Sequence, residues 1–186
     1  MILIRAARPE DAAQIAAIYS THVLASAVSF ETEPPSTRTM RSRMEGEDGL
    51  YPWLVATGED TDALLGYASA MRFRERAAYR FCVETSVYVA SGAARQGVGR
   101  LLYEALIDTL RAQNFTQAIA VITLPNDASI GLHESVGFRR AGVYREVGWK
   151  QGRWHDVGIW QASLADPNGP PEEPLRFADV GVRRDP

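Results

Sequence analysis

Apolar residues open the chain as a short run, ILIRAA (residues 2–7), and then recur at helical spacing. Ile15, Ile18, Tyr19 and His22 fall on one face of RPEDAAQIAAIYSTHVLA. Pro9 in its first turn and Glu10 and Asp11 at its positive end predict where that helix begins. Pro34 and Pro35 interrupt either regular structure, so residues 26–36 read as a loop. Ser36 then caps a short second helix through about Glu45. YPWLVATG and ALLGYASAMRF, joined by the turn-forming EDTD, predict an antiparallel hairpin. AYRFCVETSVYVA is the longest strand candidate. Its alternation sets Phe81, Val83, Thr85, Val87 and Val89 on one face and Cys82, Glu84, Ser86 and Tyr88 on the other.

QGVGRLLYEALIDTLRAQNF predicts a helix with an apolar stripe of Leu101, Leu102, Ala105, Leu106 and Leu110. QAIAVITLP follows as a buried strand, NDASIGLHESVGF as a short helix closed near Gly137, and residues 141–164 as two strands around a turn at Gln151–Gly152. The order β-α-α-β-β-β-α-β-α-β-β describes an α/β fold with a mixed, mostly antiparallel sheet flanked by helices. Residues 1–165 are expected to form one domain. Residues 166–186, DPNGPPEEPLRFADVGVRRDP, are Pro-rich and charged and read as a tail with few packing partners.

Composition narrows the classes. The 186 residues are 46% hydrophobic and 23% charged, ordinary for a soluble domain with a real core. No apolar run is long enough to span a membrane, and the N-terminus lacks an apolar signal region. One cysteine, Cys82, excludes an intrachain disulfide framework and fits a reducing cytoplasm. A net charge of −3 speaks against nucleic acid as a partner. Lys150 is the only lysine, and it does not follow a phosphate loop, so a P-loop NTPase is excluded.

Candidate chemistry gathers at ARQGVGRLLYEAL (residues 94–106). A helix N-terminus carries unpaired N–H groups and partial positive charge, so it binds phosphate oxygens. Gly97 and Gly99 permit close backbone approach, and Arg95 and Arg100 add charge-assisted contacts. Two glycines also serve simply to shape a tight loop. A dinucleotide fingerprint would need a third glycine where Leu102 stands. Glu84 is a carboxylate inside an apolar strand, which is costly unless it has work or a partner. It reads either as a general base or as an ion-pair partner of Arg80. Arg72, Arg74 and Arg76 share strand parity before Tyr79, giving either an anion-binding face or a solvated basic turn. Tyr144, Trp149, Trp154 and Trp160 read as core and interface packing rather than a cation cage, and His22 as packing. His155 and Asp156 lack a third ligand, so no metal is expected. Nothing adjacent activates the Cys82 thiol.

RQGVGRLLYEAL followed by NDASIGLHESVGF resembles the acetyl-CoA-binding region of the GNAT superfamily of N-acetyltransferases. VSFETEPPS, YPWLVA, FRERAAY, VETSVYV and GWKQGRWHDVGIWQ extend the likeness, in order, to the phosphinothricin and methionine sulfone (sulfoximine) acetyltransferase family. The resemblance implies the GNAT fold and acetyl-CoA as co-substrate. It implies a diphosphate cradle at Arg95, Gln96, Gly97, Val98, Gly99 and Arg100, with Ala94 where the family has Gln or Arg. It implies further coenzyme contacts at Val87, Tyr88, Val89, Asn126 and Ser135. Glu84 matches the family's base, while His133 stands where many relatives carry a tyrosine acid and reads as acid, substrate contact or structural residue. Phe30, Phe73, Arg74, Arg76, Tyr79, Thr85 and Ser86 match the acceptor-binding stretches.

The expected activity is therefore transfer of acetyl to the α-amine of a small amino-acid analogue: phosphinothricin, methionine sulfoximine or methionine sulfone. Attack is direct, with Glu84 as base and no acyl-enzyme. The family implies a cytoplasmic homodimer. Two other readings remain open at this point. One is acetylation of another small amine or a protein N-terminus; the other is a non-catalytic acyl-CoA sensor.

Overall fold

Helix α3 (Val98–Ala112) carries the predicted stripe, and the core is built on it. A computed structural model of the chain describes residues 1–46, 49–59, 61–166 and 168–183. Leu102, Ala105, Leu106 and Leu110 are fully buried, and each leucine stabilises by about 2 kcal/mol relative to exposure. Leu101 is only half-buried, and Tyr103 takes an interior place that the stripe left out.

Among the described residues one sheet of seven strands crosses the molecule. The strands are β1 (Ile2–Ala6), β2 (Trp53–Gly58), β3 (Leu64–Arg72), β4 (Cys82–Val89), β5 (Gln117–Thr123), β6 (Arg139–Lys150) and β7 (Arg153–Ser163). Their order is β1-β2-β3-β4-β5-β7-β6, antiparallel throughout except for the parallel pair β4–β5. The sheet is thus mixed and mostly antiparallel, as the element order predicted. Residue 60 of the expected EDTD turn lies outside the described residues.

Alternation along the strands decides which helix each side chain meets. Leu54, Ala56, Ala68, Ala70 and Val83 face α3. Val55 and Tyr67 face the opposite way, onto α1 (Ala12–Ala25) and α2 (Thr37–Glu45), through Ile15, Tyr19, Val23 and Met40. Ser36 caps α2 as expected, accepting from the Thr39 N–H at 3.1 Å. Pro9–Asp11 form a 3-10 turn before α1 instead of joining it. Asp11 is held there by Arg5 at 2.7 and 2.9 Å and by the Arg8 N–H at 2.7 Å. The Arg5 guanidinium keeps the Asp11 carboxyl below its usual range.

The C-terminal segment corrects one expectation. It was expected to have few partners, yet it lies along α3. Leu175 N–H donates to Gln113 O at 2.9 Å, and Gln113 Nε2 donates to Leu175 O and Leu50 O at 2.8 Å each. A short helix α5 (Phe177–Val180) follows, Phe177 and Val182 pack on the core, and Arg183 N–H reaches Thr109 Oγ1 at 3.0 Å. Charge and proline content concealed two apolar anchors, Phe177 and Val182, and the backbone pairing at Leu175. Residues 167 and 184–186 lie outside the described residues.

Candidate active site

The site begins where two parallel strands part. β4 and β5 pair only from Cys82 to Thr85 and from Gln117 to Ala120. Beyond that, β4 continues to Val89 on β3 alone, and β5 continues to Thr123 on β7. The resulting wedge opens a cleft of about 50 Å³ lined by Val28, Thr85, Val87, Ile122, Asn126 and His133, among others. A cavity of about 240 Å³ lies on the α1–α2 face, walled by Tyr19, Glu31, Arg43, Trp53, Tyr67 and Met71, among others. Ser86 and Tyr88 line both spaces. The two cavities therefore meet across a single stretch of β4.

Glu84 stands one same-face position before Ser86, about 7 Å along the strand. Register places it opposite Met71 of β3, itself a wall of the larger cavity. Burial pushes its carboxyl above the usual range, and the nearby Arg74 charge opposes that rise. The ion pair with Arg80 does not form: Arg80 Nε donates to Glu173 at 2.8 Å. Glu84 lines neither cavity itself; a half-buried carboxylate with a raised pKa, one same-face position from Ser86, has the properties a general base needs.

The remaining acceptor residues do not all gather there. Strand parity had put Arg72, Arg74 and Arg76 on one face, but β3 ends at Arg72 and a 3-10 turn occupies Ala77–Tyr79. Alternation fails once the strand stops. Phe73, Arg74 and Tyr79 instead form an outer cluster, with Arg74 Cζ 4.3 Å from the Phe73 ring centroid and Phe73 edge-on to Tyr79 at 5.7 Å. Arg76 is exposed, and none of the four lines the larger cavity. Thr85 is buried on the α3 face, its hydroxyl 3.2 Å from both Tyr103 Oη and Ile119 O, so it borders the smaller cleft and not the larger cavity. Phe30 sits over Gly148, where an added Cβ would lie 2.1 Å from the ring. The cavity walls the sequence did not single out are Tyr19, Glu31, Arg43, Trp53 and Tyr67. Glu31 lies inside the VSFETEPPS stretch, and its charge beside the prolines was the available signal. Glu31 binds Arg43 through both oxygens at 2.8 and 3.1 Å and accepts from Tyr19 Oη at 2.9 Å.

His133, on α4 (Asp127–Ser135), is buried in a hydrogen-bond chain. Its Nδ1–H donates to Ser129 O at 2.7 Å, which leaves Nε2 to accept from Tyr103 Oη at 2.8 Å. Burial lowers the His133 pKa and raises that of Tyr103, so both remain neutral near pH 7. Tyr103 therefore holds the only proton between the two groups. A tyrosine on an apolar helix stripe signals a buried hydroxyl in need of a partner, and that signal was readable.

On the coenzyme side, Gly97 adopts φ +80°, a left-handed conformation that favours glycine, and no side chain caps the N-terminus of α3 behind it. A Cβ on Gly99 would come within 3.1 Å of Leu132 Cδ2. Arg95 also has positive φ, 63°. This uncapped terminus with an open glycine approach suits a diphosphate. Arg100 is drawn along the helix to Glu104 at 2.7 Å, and Gln96 turns back to Gly92 O at 3.0 Å. Val98 is buried, so its part in the cradle is its backbone. Asn126 caps α4 by accepting from Ser129 N–H at 3.1 Å and also lines the cleft. Ser135 is exposed and donates to Leu132 O. Val89 O accepts from His22 Nε2 at 3.2 Å, which fixes the end of β4.

Elsewhere, His155 Nε2 bonds Lys150 O at 3.0 Å and Asp156 holds Arg145 and the Glu146 N–H. Among the described residues no three His, Cys, Asp or Glu side chains form a metal-binding group. Burial raises the Cys82 thiol to about 11, which leaves it inert. Of the C-terminal aromatics only Trp160 enters the core, while Tyr144, Trp149 and Trp154 are exposed.

Residues 4–159 match the family model of the acetyltransferase (GNAT) domain. A phosphinothricin N-acetyltransferase of Streptomyces viridochromogenes is 39% identical over 93% of this chain and 92% of its own. An L-methionine sulfoximine/L-methionine sulfone acetyltransferase of Salmonella typhimurium is 36% identical over 90% of this chain and 97% of its own. The crystal structure of a phosphinothricin acetyltransferase from Sinorhizobium meliloti in complex with acetyl-CoA superposes with a TM-score of 0.88. It is 37% identical and covers 92% of this chain and 94% of that one.

Proposed function

The chain belongs to the acetyltransferase (GNAT) domain family and is an acetyl-CoA-dependent N-acetyltransferase, and we propose that its acceptor is the α-amine of a small amino-acid analogue with a tetrahedral sulfur or phosphorus head. Phosphinothricin, methionine sulfoximine and methionine sulfone are the acceptors in question, since similar proteins carry those substrates in their names. The observation that carries this reading is the meeting of two cavities at Ser86 and Tyr88, with Glu84 beside them on the same strand face.

The coenzyme's diphosphate rests on the α3 N-terminus at Gly97–Gly99, and its acyl arm enters the wedge between β4 and β5. Residues 87–89 offer their backbone to that arm, Asn126 borders it, and Arg95 supplies charge at its mouth. The acceptor occupies the aromatic cavity. An alkyl ammonium has a pKa near ~10 and cannot attack until it loses a proton. Glu84 takes that proton, directly or through water. The nitrogen lone pair then forms the C–N bond to the thioester carbonyl, and a backbone N–H of β4 stabilises the oxyanion. The C–S bond breaks, and a second nitrogen proton goes to sulfur, giving amide and free thiol. Tyr103 and His133 border the cleft as a neutral hydrogen-bonded pair, with His133 as a positioning residue. Arg74 and Arg76 contribute from outside the cavity, Arg74 by tuning Glu84. The enzyme works in the cytoplasm as a homodimer, with the exposed Trp149–Trp154 face as the contact.

The test is thiol release from acetyl-CoA against a panel of amino acids and their sulfone, sulfoximine and phosphinate analogues. Saturable turnover of the analogues is expected. Turnover only of amines that lack a polar head would overturn the acceptor assignment, and no thiol release with any amine would leave a coenzyme sensor.

A further inference from the structure

The only lysine of the chain is buried. Lys150 ends β6, and its ammonium donates all three protons to backbone carbonyls: Val23 O at 2.7 Å, Ser29 O at 2.7 Å and Glu31 O at 2.8 Å. Val23 belongs to α1, while Ser29 and Glu31 belong to the loop that follows it. Three carbonyl dipoles converging on one nitrogen offset the cost of burying the charge. Burial lowers the ammonium pKa, and the Glu31 carboxylate opposes that shift.

The loop so held borders both cavities, with Val28 in the coenzyme cleft and Glu31 in the acceptor cavity. A second contact docks it on the same hairpin. The Phe30 ring lies against Gly148, two residues before Lys150, where any side chain would collide with it. His155, on the facing strand, packs 6.1 Å from Phe30 and holds Lys150 O through Nε2. Glu31 in turn aims Arg43 and Tyr19 at the acceptor space.

We propose that Lys150 is the positioning residue of the acceptor site, setting the loop of residues 26–36 so that Glu31, Arg43 and Tyr19 form the acceptor wall. This rests on the reading of the larger cavity as the acceptor site. Three carbonyls that converge on one nitrogen suit the three protons of an ammonium; a guanidinium carries at most two protons per nitrogen, all in one plane. The coenzyme's diphosphate cradle lies on α3 and is independent of the loop.

The test compares the Lys150→Met and Lys150→Arg variants with the unaltered enzyme, using the amine that the unaltered enzyme turns over best. Lys150→Met is expected to raise the acceptor KM by about tenfold or more while kcat and the acetyl-CoA KM stay within about threefold. Amide hydrogen exchange is expected to speed up across residues 26–36 and to stay unchanged in the first turn of α3, and Lys150→Arg is expected to restore neither. An unchanged acceptor KM, equal rises in both KM values, or full rescue by arginine each sinks the proposal. If Lys150→Met does not fold, Gly148→Ala displaces Phe30 from the same seat and must give the same acceptor-selective rise; a normal acceptor KM there has the same negative weight. Exchange needs no substrate. Faster exchange at 26–36 in an enzyme that acetylates no amino acid therefore overturns the function reading and leaves the docking intact.

Discussion

Glu84, the proposed base, is a half-buried charge whose environment bears on both activity and stability. Its carboxyl is held above the ordinary value of 4.5 because the strand removes it from water, with Arg74 pulling in the other direction. A base must be deprotonated to act, so kcat/KM is expected to fall with acidity through an apparent pKa above 4.5. Glu84→Gln should remove that limb and lower kcat by about a hundredfold or more. Arg74→Ala should move the limb to higher pH, because the opposing charge is gone; pH–rate profiles of the three proteins check both. The raised pKa means that the folded state holds the proton more tightly than the unfolded chain, so ionisation of Glu84 opposes folding above its unfolded pKa. Glu84→Gln is thus expected to melt at or above the temperature of the unaltered enzyme at neutral pH. His133 carries the opposite sign. Its folded pKa is depressed below 6.5, so stability is full above that pH and is lost as the pH falls below it. Thermal melts should show a fall in Tm below about pH 6.5 that is blunted in His133→Gln. Glu84 was legible in the sequence because a carboxylate breaks an apolar strand. Tyr103 was readable only as a buried hydroxyl in need of a partner, because that partner, His133, lies thirty positions away.

At the scale of the element, each piece of the site is positioned by where a regular structure stops. The wedge exists because β4 and β5 cease to pair after Thr85 and Ala120. The proposed phosphate cradle depends on Gly97, which turns into the left-handed region one residue before α3. Gly97→Ala imposes a Cβ on that conformation at a cost of about 1 kcal/mol. It is expected to raise the acetyl-CoA KM several-fold and leave the acceptor KM unchanged, as initial-rate kinetics with each substrate varied will show. The same lesson explains the misplaced arginines. Alternation holds only inside a strand, and RFRERAAY leaves β3 at Arg72, so parity beyond that point carried no information about direction. Helix stripes and hairpin turns were readable because they depend on neighbours a few residues apart.

For the whole molecule, the sheet brings distant segments to one cavity: a loop after α1, the middle of β3 and the end of β4. The C-terminal segment closes the far side. Removing residues 166–186 strips the hydrogen bonds to Gln113 and Thr109 and the Phe177 and Val182 packing. A loss of about 2 kcal/mol or more in chemical denaturation is expected, with acetyl-CoA affinity retained. The exposed Trp149 and Trp154, whose rings meet at 5.3 Å, form an apolar face on the β6–β7 hairpin. The proposed homodimer predicts that Trp149→Ser with Trp154→Ser shifts the enzyme toward monomer in light-scattering chromatography. The sequence alone determined the elements, their order, the family resemblance and the candidate base, since periodicity, capping and motif spacing are local properties of a chain. Only the tertiary structure decided which side chains share a cavity. Glu31, Arg43 and Tyr19 became its wall, and Lys150 became the anchor of their loop, because burial and hydrogen-bond geometry depend on what the fold packs against each residue.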